Sequence, residues 1–283
     1  MSWQLFTAIS VITLSASVVL QRILLSKDKL DPYAYVVIFQ AIVGSILMLF
    51  TLIFGFKLPG IENYILPAAL SIVAFGLGHI SYAKTLQLVE ASAFSVLFAT
   101  QAVWIMLLGI LLFNESLTYI QIIGTVLIFG SVLLLVKNLS ALQLDKSTFW
   151  GLLTGLFFGI AITSWSYVGR YTDPLSWAAI SFVATAIVAY LVRPQTVRKI
   201  PELLSRNIIL KLLVLGVLYA VGSLTMLYAY REGTFSVVTP LRQTSIIITV
   251  LFALLFIKAE RNRISRKLMA AALCFVGMIL IVA

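Results

Sequence analysis

The chain has 283 residues, of which 61% are hydrophobic and 11% are charged, and its mean hydropathy is +1.09. A soluble domain carries about 25% charged residues, so the composition excludes one and indicates a polytopic helical membrane protein. The net charge of +10 does not predict nucleic-acid binding, because the basic residues lie in short loops between apolar runs.

Ten apolar runs follow one another along the chain, each long enough to cross a hydrocarbon core of about 30 Å. The first begins directly after Met1-Ser2 without a basic segment, and we interpret it as a retained helix and not as a signal peptide. The longest polar stretch, 193–206, contains two prolines and is predicted to be a surface loop. The predicted spans are 2–21, 33–56, 64–86, 91–113, 118–136, 148–169, 175–192, 207–230, 235–257 and 265–283.

The second half of the chain repeats features of the first at a spacing of 142 to 147 residues. An Asp-Pro pair precedes both the second and the seventh span, and glycines recur at matching places within the spans. Self-similarity at a fixed spacing is the signature of an internal repeat. The matched pairs are Trp3/Trp150, Thr7/Thr154, Asp31/Asp173, Gly78/Gly222, Glu115/Glu260 and Gly130/Gly277.

Each repeat holds five predicted spans, and an odd number means that the second copy enters the membrane upside down. We therefore predict an all-α integral membrane protein with ten transmembrane helices, arranged as two inverted five-helix repeats over 1–139 and 140–283. Many secondary transporters are built in this way, with the substrate site near the midplane between the halves.

Two stretches resemble the EamA-type domain of the drug/metabolite transporter superfamily. They are "EASAFSVLFATQAVWIMLLGILLFNESLTYIQIIGTVLIFGSVLLLV", at 90–136, and "GTFSVVTPLRQTSIIITVLFALLFIKAE", at 233–260. The signature is a helix that begins with small residues, an apolar run, a glutamate at the helix exit and then a Gly-spaced helix. Two copies of this domain, which the resemblance implies, cover essentially the whole chain. It implies export or exchange of small metabolites or drugs, and it does not fix the substrate.

Two of the departures from the family pattern concern acidic residues. The fourth span has Gln101-Ala102 where the family often carries Glu-Pro. The first span has no acidic residue, whereas the small multidrug-resistance relatives carry a membrane-embedded glutamate there. Because of these two departures, the resemblance does not identify the coupling ion.

The ninth span carries an arginine about two turns from its start. On a helix Thr239, Arg242 and Ser245 share one face, and a polar stripe that includes an arginine is expected to face protein or water. We predict that Arg242 lines a cavity, where it would hold a carboxylate or a phosphate. The alternative is that its long side chain snorkels to the nearer membrane interface.

The other candidate cavity residues are polar or amphipathic side chains inside the spans. His79 has the chemistry to bind substrate or carry a proton, because a free imidazole titrates near neutral pH; the alternative is a structural hydrogen bond. Buried amides and hydroxyls often bridge helices without touching substrate, so the same alternative holds for Gln101. The candidate substrate-binding residues are Arg242, Gln243, Thr239, Ser245, His79, Gln101, Trp104, Trp165 and Tyr228.

The sequence predicts no catalytic site, metal site or cofactor, and we expect that the protein is not an enzyme. One histidine and one cysteine argue against an all-protein zinc site, and a single cysteine cannot form an internal disulfide. Paired intramembrane acids and a phosphate-binding Gly-Lys loop are also missing from the sequence. Because the ten acidic residues lie in loops or at span ends, exchange, facilitated flux and coupling through His79 all stay open.

The basic residues are distributed unequally between the two sides of the predicted membrane. Sixteen of the 20 follow spans 1, 3, 5, 7 and 9, and three lie on the other side. The positive-inside rule then places both termini outside, whereas ten-span relatives are usually described with both termini inside. The predicted location is the cell (cytoplasmic or inner) membrane.

The sequence therefore predicts a secondary transporter that moves a small polar metabolite by alternating access, in export or exchange. The expected solute is anionic or zwitterionic, for example an amino acid. The alternatives are a drug or cation exporter, a passive channel and a lipid scramblase. The expected partners are the lipid bilayer and the small-molecule substrate, without nucleic acid, and the expected assembly is a monomer or a homodimer.

Overall fold

The structure is a computed structural model that describes residues 2–58, 60–101, 103–104, 118–135, 146–233, 238, 241–242, 244–257 and 264–282. Within these residues the chain is helical, without strands. The principal helices are α1 (Trp3–Arg22), α2 (Pro32–Phe54), α3 (Ile65–Leu88), α4 (Ala91–Ala99), α5 (Tyr119–Leu135), α6 (Lys146–Tyr171), α7 (Pro174–Val192), α8 (Arg206–Glu232), α9 (Ser245–Phe256) and α10 (Ile264–Val282).

Short helical turns extend or connect these helices. A π-helical turn, Ile23–Lys27, continues α1, and a 3₁₀ turn, Ile61–Tyr64, leads into α3. The connection between α7 and α8 was predicted to be a surface loop, and this prediction is wrong for most of its length. It folds as a 3₁₀ turn, Pro194–Lys199, followed by one α-helical turn, Ile200–Leu203, because a proline in the first turn of a helix lacks only an N–H that would be unpaired anyway.

Six helical segments of the described chain are long and apolar enough to cross a membrane, so the protein is a multi-pass membrane protein. Two shorter apolar helices lie at Tyr119–Ser131 and Ser245–Phe256. The predicted fourth and ninth spans extend into residues outside the described ones, so the count of ten stays a prediction. The six segments are Trp3–Ser26, Pro32–Phe54, Ile61–Leu88, Lys146–Tyr171, Pro174–Val192 and Arg206–Glu232.

The two Asp-Pro pairs begin α2 and α7 with the same chemistry. Asp31 Oδ1 accepts hydrogen bonds from the backbone N–H groups of Tyr33 and Ala34, at 3.1 and 3.0 Å. Asp173 Oδ2 accepts a hydrogen bond from the backbone N–H of Ser176 at 2.9 Å. In both helices the carboxylate satisfies N–H groups that the first turn leaves unpaired, which fixes where the helix starts.

The core is formed between the two halves of the chain. The most extensive helix–helix contacts join α3 with α6, α2 with α7, α1 with α8 and α5 with α10. In each of these pairs, one helix comes from the first half and one from the second. The main apolar cluster contains residues of α2, α3, α6, α7 and α8, so neither half has this core without the other.

Close contacts at glycine recur at a constant spacing. A Cβ atom on Gly78 of α3 would lie 3.0 Å from the ring of Phe158 in α6. A Cβ atom on Gly222 of α8 would lie 2.7 Å from the side chain of Leu14 in α1. Gly222 lies 144 residues after Gly78, and Phe158 lies 144 residues after Leu14. The two contacts are therefore equivalent under the repeat: in the first the glycine lies in the first half of the chain, and in the second it lies in the second half.

The contact between α2 and α7 predicts a large effect of a single methyl group. A Cβ atom on Gly44 would lie 2.7 Å from Val183 Cγ2 and 2.9 Å from the Val183 backbone nitrogen, so the two helices would have to separate. We expect Gly44→Ala to lower the free energy of unfolding by about 1 to 3 kcal/mol, the usual cost of overpacking a core. The measurement is the unfolding midpoint of the purified protein in detergent.

The matched control for this prediction is Gly130→Ala. There the new Cβ atom would lie 3.8 Å from Leu273 Cδ2, which is an ordinary van der Waals distance, and the midpoint should stay that of the wild type. An equal loss of stability in the two variants would contradict the close approach of α2 and α7.

Candidate functional site

A cavity of about 70 Å³ lies between α1, α3, α6 and α8, the helices of two of the inter-half pairs. It has room for a few water molecules and is smaller than the roughly 300–1,000 Å³ of typical small-molecule sites. In this arrangement of the helices the cavity is therefore too small for a typical metabolite. The cavity is lined by Leu14, Ser17, Val18, Phe75, Tyr82, Phe98, Phe158, Ile162, Trp165, Phe182, Tyr219, Ser223, Met226 and Arg242.

Arg242 carries the only charge among the described residues that line the cavity. Its side chain is 9% exposed, and Nη1 donates a hydrogen bond to the Tyr230 hydroxyl at 3.3 Å. Within the described part of the chain, the ion pairs involve lysines, and none joins a carboxylate to Arg242. A buried guanidinium is costly without an anion, and the bond to Tyr230 uses one of its five N–H groups. Arg242 is therefore able to bind an anionic group in the cavity.

His79 lies behind the cavity wall and does not line the cavity itself. It is 2% exposed, and Nε2 has no hydrogen-bond partner among the described residues. Its ring centroid lies 4.9 Å from that of Phe158, 5.8 Å from Phe75 and 5.9 Å from Tyr219, and all three of these rings line the cavity. The imidazole would reach a solute in the cavity after one of these rings had moved.

Hydrogen bonds at both ends of the residue hold Trp165 in the cavity wall. Its indole Nε1 donates to Ser181 Oγ at 2.8 Å, and its backbone carbonyl accepts a hydrogen bond from Trp177 Nε1 at 3.0 Å. The side chain is 1% exposed, and its ring packs edge-on against Phe75 and Phe182. The structure thus presents a fixed aromatic surface to the cavity.

The bond between Trp165 and Ser181 gives a testable consequence. Ser181→Ala would leave the buried indole N–H without its acceptor, so we expect a loss of about 1 to 3 kcal/mol in the free energy of unfolding. The measurement is again the unfolding midpoint in detergent. Ser71→Ala is the matched control, because among the described residues the equally buried Ser71 hydroxyl bonds only to the Ala68 carbonyl in its own helix. Equal midpoints for the two variants would contradict the assigned bond.

Three other sequence candidates do not line the cavity. Gln101 is 2% exposed, and its Oε1 atom has no hydrogen-bond partner among the described residues. Trp104 is half-buried. Ser245 connects helices through its backbone, since its carbonyl accepts a hydrogen bond from Ser15 Oγ at 3.2 Å. Two further candidates, Thr239 and Gln243, lie outside the described residues.

Tyr228 lies in a different place from Arg242. It borders a groove of about 630 Å³ between α2 and α8, and its ring stacks on Phe6 with the centroids 5.4 Å apart. Positions two apart on a helix point to different sides. For that reason Tyr230 contacts Arg242, and Tyr228 faces the groove. Nothing in the sequence distinguishes Tyr228 from Tyr230, so the sequence prediction of Tyr228 could not take this difference in direction into account.

Sequence reasoning also missed most of the cavity wall, because aromatic and aliphatic residues in a membrane span look the same whether they face lipid or a cavity. The repeat spacing is the signal that would have found part of it: adding 144 to Phe98 gives Arg242. Ten lining residues form five such pairs, which are Leu14/Phe158, Val18/Ile162, Phe75/Tyr219, Tyr82/Met226 and Phe98/Arg242.

Comparison with known proteins identifies the kind of protein that has this architecture. The model of the EamA-like transporter family matches residues 1–137 and 145–283. No curated protein matches the sequence. The fold is similar to that of a protein in a solved crystal structure, with 17% sequence identity, coverage of 98% of this chain and 97% of that chain, and a TM-score of 0.63. At this identity the similarity concerns the fold alone.

Proposed function

The chain belongs to the EamA-like transporter family and is a membrane transporter, and from this premise we propose that it moves a small anionic or zwitterionic solute by alternating access. The observation that carries the proposal is the buried Arg242, which faces a cavity between the two halves without a carboxylate partner among the described residues. The proposed solute supplies the missing negative charge, as a carboxylate or phosphate oxygen.

The remaining wall of the cavity favours a solute with apolar surface. Seven of the lining side chains are aromatic, and the polar ones apart from Arg242 are hydroxyls. An apolar body would pack against these rings, and a solute ammonium group would interact with their faces. The geometry therefore supports a carboxylate that carries an apolar or aromatic body, and an amino acid of this kind fits the description.

Alternating access requires two arrangements of the helices around one site. We propose that 1–139 and 140–283 are inverted repeats that exchange conformations. The proposal is supported by contacts that recur in both halves: the Thr7 hydroxyl bonds to the Trp3 carbonyl at 2.9 Å, and Thr154 bonds to Trp150 at 2.7 Å. A single chain encloses the cavity, so a monomer is sufficient for this mechanism.

The proposed location is the cytoplasmic or inner membrane, with export or exchange as the direction. Two lysines that follow odd-numbered predicted spans form ion pairs at the same end of the helices: Lys211 pairs with Asp28, and Lys267 with Glu90. If the positive-inside rule holds, this end faces the cytoplasm.

The alternative of a cation or drug exporter has less support, because a cation in the cavity would be repelled by Arg242.

Counterflow in liposomes tests the proposal. The purified protein is reconstituted, loaded with unlabelled solute and supplied outside with labelled solute from a panel of apolar amino acids, monocarboxylates, sugar phosphates and cationic drugs. We expect saturable uptake, stimulated by solute on the opposite side, for a carboxylate with an apolar body. Protein-free liposomes are the control. Stimulated uptake of cations alone would reject the solute class, and flux without stimulation from the opposite side would reject alternating access.

A further inference from the structure

Four helix ends meet in a cluster of two cations and two aromatic rings, which we call the Tyr33 cluster. Tyr33 lies in the first turn of α2, Lys84 one turn before the end of α3, Trp150 in the second turn of α6 and Arg193 directly after α7. Lys84 Nζ lies 3.8 Å from the centre of the Trp150 ring and 4.7 Å from that of Tyr33. Arg193 Cζ lies 4.9 Å from the centre of the same Tyr33 ring.

The Lys84 and Arg193 charges both lie within 5 Å of the centre of the Tyr33 ring, so they are at most about 10 Å apart. The rings offer their electron-rich faces to the cations, but they carry no net charge. Among the described residues neither Lys84 nor Arg193 forms an ion pair with a carboxylate. The nearby Asp31 carboxylate caps α2 through the N–H groups of Tyr33 and Ala34. An anion between the two cations would relieve their repulsion.

The position of the Tyr33 cluster indicates which anions can reach it. Its four members lie within about two turns of the ends of membrane-spanning segments, which is the depth of the lipid head groups. Tyrosine and tryptophan are typical of this depth, and basic pockets between transmembrane helices bind phosphate-bearing head groups. Lys84 and Trp150 are half-buried and Arg193 is exposed, so the cluster is open to a ligand from its outer side.

We propose that the Tyr33 cluster is a binding site for a phosphate-bearing anion, held between the Lys84 ammonium and the Arg193 guanidinium. Arg193 offers a planar pair of N–H groups to two phosphate oxygens, and Lys84 a single charge to a third. The phosphate belongs either to an anionic phospholipid or to a soluble molecule. The site is distinct from the central cavity and does not depend on which solute the protein transports.

Native mass spectrometry of the full-length protein in detergent tests the site. The protein is titrated separately with phosphatidylglycerol, with phosphatidylcholine and with glycerol phosphate, the soluble head group of the first lipid. We expect one phosphatidylglycerol adduct that binds about tenfold less tightly to the Lys84→Gln/Arg193→Gln variant than to the wild type. Binding of glycerol phosphate with the same loss in the variant would instead identify a soluble phosphate as the ligand.

Two further variants keep the test decisive. Arg198→Gln removes an exposed arginine from the same connection and should bind phosphatidylglycerol as the wild type does. Arg193→Gln alone changes only an exposed side chain, so its weaker binding would carry the proposal even if the double variant did not fold. Equal binding of phosphatidylglycerol and phosphatidylcholine, or equal phosphatidylglycerol binding in wild type and the Arg193→Gln variant, would overturn it.

Discussion

Arg242→Gln is expected to reduce exchange of an anionic or zwitterionic solute about tenfold or more. The glutamine keeps hydrogen-bonding capacity and removes the charge, and a buried hydrogen bond to a charged group contributes about 1.5 to 3 kcal/mol, which corresponds to about 10- to 150-fold in affinity. The effect should be on solute affinity, so it is measured as the concentration that half-saturates counterflow in liposomes containing equal amounts of folded protein.

Two companion variants separate the charge from its geometry and its location. Arg242→Lys keeps the positive charge and loses the planar pair of N–H groups, so its half-saturating concentration should lie between those of wild type and Arg242→Gln. Arg231→Gln removes an exposed arginine at the end of α8 and should leave exchange unchanged. Exchange by Arg242→Gln at the wild-type affinity would exclude Arg242 from the substrate site.

The second large effect is expected at the ion pair between Lys267 of α10 and Glu90, which lies directly before α4. The Lys267 side chain is 8% exposed and that of Glu90 is 36% exposed. Removing one partner of a buried pair costs about 3 to 5 kcal/mol, and exposed pairs contribute about 0 to 1. For this half-covered pair we expect Glu90→Gln to lower the free energy of unfolding by about 2 to 3 kcal/mol.

A double variant distinguishes the loss of charge compensation from a loss of packing. Lys267→Met in the Glu90→Gln background removes the second charge of the pair as well, so the double variant should recover part of the stability that Glu90→Gln loses. Glu202→Gln is the control, since its pair with Lys199 is exposed at both ends and contributes little. The unfolding midpoint in detergent is the measurement. A double variant less stable than Glu90→Gln would contradict this account.

The helix starts could be predicted from the sequence because they depend on local chemistry. An aspartate followed by proline fixes the first turn through its own carboxylate, and both Asp31 and Asp173 do so. The connection at 193–206 was predicted wrongly for a related reason. Two prolines suggested a loop, but Pro194 and Pro201 stand in first turns, where the ring is tolerated.

The cavity could be predicted only in part, because its composition depends on which side of each helix faces inward. The cost of burying a charge in lipid pointed to Arg242, and the structure places that residue against the cavity. The same reasoning does not predict that Phe75 and Phe158 line the cavity, since apolar side chains are equally stable against lipid and against protein. It also could not foresee that His79 lies behind these rings.

The five cavity pairs separated by 144 residues have a consequence for the orientation of a bound molecule. Two identical chains around one axis would present the same side chain twice, and an arginine at this position would face a second arginine across a cavity of about 70 Å³. In a single continuous chain the two members can differ, and here Phe98 corresponds to Arg242. The Phe98 side and the Arg242 side of the cavity therefore differ in charge, so an asymmetric molecule in the cavity would have one preferred orientation.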